Sequence, residues 1–68
     1  MTAEDIALIL IAQATWWISA DGIRIGDEIR VTGREARRAN ILAQAHFVRA
    51  SRTPQMELSG REIKVSWK

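Results

Sequence analysis

The sequence predicts a small α+β domain in which two helices pack on an antiparallel sheet of two hairpins, in the order α-β-β-α-β-β. Two observations lead to this prediction. Capping patterns that open helices occur twice, at Thr2 and at Thr32. After each expected helix, apolar residues alternate with charged residues around a glycine-containing turn, which is the pattern of a β-hairpin. Residues 1–68 are therefore expected to form a single domain.

The first helix is expected over residues 3–20. Thr2 and Asp5 approximate a capping box, in which the hydroxyl accepts an amide of the first turn and the acid reaches back. Asp21 and Gly22 would end the helix, because glycine readily adopts the left-handed conformation found just after helices.

The apolar surface of this segment is wider than a helix of one small domain normally has. Residues 6–18 read IALILIAQATWWI, with only Gln13 and Thr15 polar. Around a helix, these side chains would cover much more than the stripe that one domain buries. We therefore predict that the protein self-associates or binds a partner through this helix, with Ile9 and Trp16 in the interface.

A hairpin is expected over residues 23–32 and a second helix over residues 33–48. In the hairpin, apolar residues alternate with arginines on either side of the turn Gly26-Asp27-Glu28. Thr32 and Glu35 have the spacing of a second capping box, so the helix would follow the hairpin directly.

The second helix has small residues on one face, including Ala36 and Ala43, which permit close approach of the first helix. An alternative is that residues 45–52 form a strand. A second hairpin is expected over residues 55–67, where apolar residues alternate with charges across Ser59-Gly60-Arg61. The residues predicted to lie inside the domain are Ile6, Leu10, Trp17, Ile25, Ile29, Val31, Ala43, Leu58, Ile63 and Val65.

Composition excludes several kinds of site. The 68 residues include no cysteine, so disulfides and thiolate metal sites are ruled out, and a single histidine makes a structural zinc site implausible. That histidine, His46, lies at the edge of the alanine face of the second helix, so we expect it to be structural. No acidic pair has a spacing that suggests shared chemistry, and the sequence has no glycine-rich phosphate loop. The sequence therefore predicts a protein that is not an enzyme and has no cofactor or metal.

Positive charge is concentrated in the middle of the chain. Residues 1–23 have a net charge of −3, residues 24–52 of +4 and residues 53–68 of +1. The planar guanidinium of arginine suits phosphate and carboxylate, and a helix N-terminus adds amide donors for an anion. We therefore predict a surface that binds the nucleic-acid backbone or an acidic partner. Its residues are Arg24, Arg30, Arg34, Arg37 and Arg38.

The sequence thus favours a small non-catalytic binding protein that self-associates and contacts nucleic acid. Two alternatives stay open: an inhibitor or accessory module of the phage type that docks on a protein partner, and a purely structural assembly protein. The apolar run of residues 6–18 is shorter than the roughly 20 residues needed to cross a bilayer. Glu4 and Asp5 precede it where a secretory signal has basic residues. Membrane association is therefore not expected. A cytoplasmic location is expected, because the absence of cysteine suits a reducing compartment.

Overall fold

The computed structural model describes residues 1–27 and 29–68, so Glu28, which the sequence assigns to the first hairpin turn, lies outside the described residues. Within them, two helices and five strands follow the order α-β-β-β-α-β-β. The elements are α1 (Ala3–Gln13), β1 (Thr15–Ser19), β2 (Gly22–Ile25), β3 (Ile29–Thr32), α2 (Gly33–Arg49), β4 (Pro54–Ser59) and β5 (Glu62–Trp67).

The five strands form one antiparallel sheet in the spatial order β3-β2-β1-β5-β4. The predicted α+β class is confirmed, and both predicted hairpins are present, as β2-β3 and β4-β5. Strand β1 is an additional element that the sequence did not predict. It lies at the centre of the sheet and joins the two hairpins, because it pairs with β2 on one side and with β5 on the other.

The prediction of one helix over residues 3–20 is wrong beyond Gln13. The predicted cap is present, since the Asp5 amide donates to the Thr2 hydroxyl at 3.2 Å. However, Ala14 adopts the left-handed conformation (φ 59°), which ends α1. The Ala14 amide still donates to the Leu10 carbonyl, at 2.8 Å, as in a helix. The following residues TWWIS are aromatic and β-branched types that favour strands. The wide apolar surface of residues 6–18 therefore belongs to two elements with different periods.

Helix α2 confirms the helix predicted over residues 33–48 and extends it to Arg49. The alternative of a strand over residues 45–52 is wrong, because the helix covers residues 45–49 and a turn follows. The second capping box is also wrong: the Thr32 side chain makes no capping hydrogen bond. Thr32 is the last residue of β3 and pairs with Gly22, so the strand register sets the direction of its side chain.

The core lies between the helices and one face of the sheet, which we call the helix side. Three aromatic residues form its centre: the Phe47 ring stacks on Trp67 at 4.9 Å and on Trp16 at 6.2 Å between centroids. The Trp16 indole N–H donates to Asn40 Oδ1 at 2.9 Å, which satisfies the only polar atom of this buried side chain.

Half of the predicted core residues are buried. The buried ones are Ile6, Leu10, Ile25, Ala43 and Val65. Val31 is half-buried. Trp17 is also half-buried, but it lies on the opposite face of the sheet from the helices because its neighbour Trp16 points into the core. Three predictions are wrong, because Ile29, Leu58 and Ile63 are exposed where the helices do not cover the sheet.

Candidate nucleic-acid interface

The face of the sheet opposite the helices, which we call the open face, is covered by neither helix of the described chain. Its side chains alternate along each strand with those of the core. The strand register aligns five of them in one row that crosses every strand of the sheet. From β3 to β4, the residues of this row are Arg30, Arg24, Trp17, Lys64 and Glu57. The row thus has two arginines and a lysine around a central tryptophan.

Trp17 is the aromatic side chain of this row. It is half-buried, whereas Trp16 and Trp67 are buried in the core. The Arg24 Cζ lies over the Trp17 ring at 4.2 Å from its centroid, and the Lys64 Nζ lies 5.8 Å from it. A ring of this kind attracts cations through its quadrupole. The centre of the open face is therefore an aromatic ring flanked by positive charge on both neighbouring strands.

Glu62 fixes the position of Arg24. From β2, the guanidinium reaches across β1 to the Glu62 carboxylate on β5, with Nη2 at 3.0 Å and Nε at 3.1 Å from its oxygens. The Nη1 group donates to the Gly26 carbonyl at 2.6 Å. The hydrogen bonds between Arg24 and Glu62 raise the pKa of Arg24 and hold the pKa of Glu62 below its usual range. Arg24 is thus engaged within the protein and acts as part of the surface around Trp17.

The five predicted arginines do not form one surface. Arg24 and Arg30 are cross-strand partners on the open face. The other three, Arg34, Arg37 and Arg38, are exposed on the first turns of α2, which packs on the helix side. Arg38 also pairs with Glu4 of α1, with 3.2 Å between Nη2 and Oε1. The open-face arginines have an aromatic neighbour, and the sequence analysis missed it because it placed Trp17 in a helix.

The two residues predicted for an oligomer interface lie elsewhere than expected. Trp16 is fully buried in the core, so its prediction as a surface residue is wrong. Ile9 is half-buried and packs against the core cluster. The physical reason is that Trp16 belongs to the central strand, whose helix-side residues point into the core.

Other kinds of site have little support in the structure. Among the described residues, no group of three or more His, Cys, Asp or Glu side chains is placed to hold a metal ion. His46 is exposed on α2 and contacts the Phe47 ring edge-on, at 5.5 Å between centroids. Neither described helix is long and apolar enough to cross a membrane.

Comparison of the chain with protein-family models, with curated proteins and with solved structures found no match. The geometry of the open face is therefore the basis for the function proposed below.

Proposed function

We propose that this protein is a non-catalytic domain that binds single-stranded nucleic acid on the open face of its sheet. The observation that supports this proposal is the central position of Trp17 on that face, with Arg24 over its ring. The absence of cysteine from the sequence suits a reducing compartment, so we place this activity in the cytoplasm.

Base stacking is the interaction that Trp17 can offer together with the Arg24 guanidinium that lies over its ring. Unpaired bases stack on aromatic side chains and on the planes of arginine guanidinium groups, with little dependence on sequence. In a duplex the bases stack on one another and are not free to stack on a protein side chain. The pair formed by Trp17 and Arg24 therefore favours a single strand, and predicts little preference between bases.

Arg30 and Lys64 can provide the contacts to phosphate. They stand at either side of the stacked pair, on β3 and β5. Neighbouring strands are about 4.8 Å apart, so these two residues are about 14 Å from each other across three strand spacings. A single strand laid across the row would place bases over the centre and phosphates near both cations.

The test is an anisotropy titration of a fluorescent oligonucleotide of about 12 thymidines with the purified protein at low salt. Stacking on an aromatic side chain contributes about 1–3 kcal/mol per base, so Trp17→Ala should weaken binding about 5- to 150-fold. Each phosphate contact contributes about 0.7 to the log–log salt slope of a single strand. Arg30→Ala should therefore lower that slope by about 0.7.

Arg37→Ala is the matched control, because it removes the same charge from an exposed position on the helix side. It should leave the affinity and the salt slope almost unchanged. An equal effect of Arg37→Ala and Arg30→Ala would contradict the open face as the binding surface. No binding below about 100 μM, near the weak end of non-specific affinities, would refute the proposal and favour a protein partner instead.

A further inference from the structure

One corner of the sheet is uncovered on the helix side. Leu58 of β4 and Ile63 of β5 are cross-strand partners there, and Ile18 of β1 pairs with Ile63. Leu58 is 77% exposed, and Met56 on the same face of β4 is 60% exposed. We call Met56, Leu58 and Ile63 the apolar corner. Its side chains are large and apolar, yet neither helix of the described chain lies over them.

Helix α2 adds exposed apolar residues on the same side of the sheet as the apolar corner. The helix contacts β2 and β3 near its start, and near its end Phe47 stacks on Trp67 of β5. Ile41 and Val48 are seven residues apart, hence on one side of the helix, and both are exposed. Ile41 and Ile18 also line one groove, of about 940 Å³, between α2 and the turn after β1. The exposed apolar surface therefore extends from the sheet onto the helix.

Strand β4 adds unpaired backbone groups to this surface. Among the described residues it is an edge strand that pairs with β5 alone, in continuous register from Pro54 to Ser59. The Lys68 amide donates to the Thr53 carbonyl at 3.1 Å. By the alternation of an antiparallel pair, the backbone groups of the odd-numbered β4 residues therefore form hydrogen bonds with β5. The backbone groups of Met56 and Leu58 therefore point outwards. A long edge strand of this kind is a template for pairing with another strand.

The edge of β4 is complementary to itself. When two copies run antiparallel around a two-fold axis at Met56, that residue opposes its own equivalent, and Gln55 opposes Glu57. An axis at Glu57 would instead place two carboxylates opposite each other, which is unfavourable. In the Met56-centred register, Leu58 opposes Pro54 of the second copy. Pro54 is exposed but pairs with Trp67, on which Phe47 of α2 stacks, so the end of one strand that lies beside α2 meets the uncovered end of the other.

We propose that β4 pairs with β4 of a second copy, which joins the two sheets and buries the apolar corner in a symmetric dimer. A two-fold interface uses the same surface on both copies and closes the assembly at two chains. The interface shares only the β4 edge, with Gln55 and Glu57, with the open face. It does not include Trp17, Arg24 or Arg30, so the dimer and the nucleic-acid proposal stand or fall independently. It also differs from the interface expected on the first helix.

The first test is light scattering coupled to gel filtration at about 100 μM protein. The wild type should have twice the 7.7 kDa mass of one chain. Leu58→Lys should raise the dissociation constant at least tenfold, because it puts a charge into the apolar corner. Leu8→Lys is the matched control, since Leu8 is 65% exposed on α1. A monomeric wild type, or an equal effect of the two substitutions, would overturn the proposal.

The second test determines the register by cross-linking, which is clean because the chain has no cysteine. Residues directly opposite in a hydrogen-bonded antiparallel pair have Cα atoms about 5.5 Å apart, within the span of a disulfide. Met56→Cys should therefore form a covalent dimer under mild oxidation. Leu58→Cys should react much more slowly, because its equivalent lies about four residues, or about 13 Å, further along the strand. Equal rates for the two variants would contradict the proposed pairing.

Discussion

Adjacent tryptophans on opposite faces of the central strand should differ sharply in their effect on stability. Trp16 is fully buried, stacks on Phe47 and donates its indole N–H to Asn40. Replacing a buried tryptophan by alanine costs about 3–5 kcal/mol. A 68-residue domain has about 3–10 kcal/mol of folding stability in total, at 0.05–0.15 kcal/mol per residue. Trp16→Ala should therefore remove a third or more of the stability, or unfold the protein.

Trp17→Ala is the matched change at the next position. Trp17 is half-buried on the open face, so its removal leaves no cavity in the core and should cost about 1–2 kcal/mol. Urea unfolding followed by far-UV circular dichroism measures both variants without relying on tryptophan fluorescence. A Trp17→Ala variant that is as unstable as Trp16→Ala, or less stable, would refute the assignment of residues 15–19 to this strand.

Two further predictions follow from the sheet. Because Arg24 lowers the pKa of Glu62, the ion pair stabilises the fold above the ordinary pKa of about 4.5 and is lost as the pH falls through the lower folded value. The stability difference between wild type and Glu62→Gln, measured by urea unfolding, should therefore shrink as the pH falls below about 4.5. A stability difference that stays constant as the pH falls would contradict this role of the Arg24–Glu62 ion pair. Gly22→Ala should prevent or severely weaken folding, because φ is +145° and a Cβ atom would lie 2.1 Å from the Val31 carbonyl oxygen. Gly26→Ala, at φ +64° with no atom of the described residues within 4 Å, should cost only about 1 kcal/mol in thermal unfolding.

The sequence predicts most of this fold because the predicted elements agree with the structure at six of the seven described elements, all except β1. The two hairpins alternate apolar and charged residues, and the start of α1 has a capping pair that forms as predicted. The error in assigning helices and strands is confined to residues 14–20. A continuous apolar run has no period that separates a buried strand from a helix, and a strand at the sheet centre is apolar on the side that it buries. The left-handed Ala14 gives no signal comparable to a glycine.

The candidate site could be predicted only in part. Arg24 and Arg30 lie on one face because they alternate with apolar residues within a hairpin, and the sequence identifies both. Trp17 joins them through pairing between β1 and β2, and Lys64 joins through pairing between β1 and β5. These contacts depend on the unpredicted strand. The separation of the α2 arginines from the open face also depends on tertiary structure, because it is set by the side of the sheet on which α2 packs.

The most direct test of the central claim is an NMR titration of the ¹⁵N-labelled protein with a short single-stranded oligonucleotide. Binding on the open face predicts that the largest shifts occur at the Trp17 indole N–H and at the amides of Arg24, Arg30 and Lys64. The amides of residues 33–38, at the start of α2, should change little. Shifts confined to residues 33–38, or no shifts at about 100 μM protein with excess oligonucleotide, would contradict nucleic-acid binding by this face.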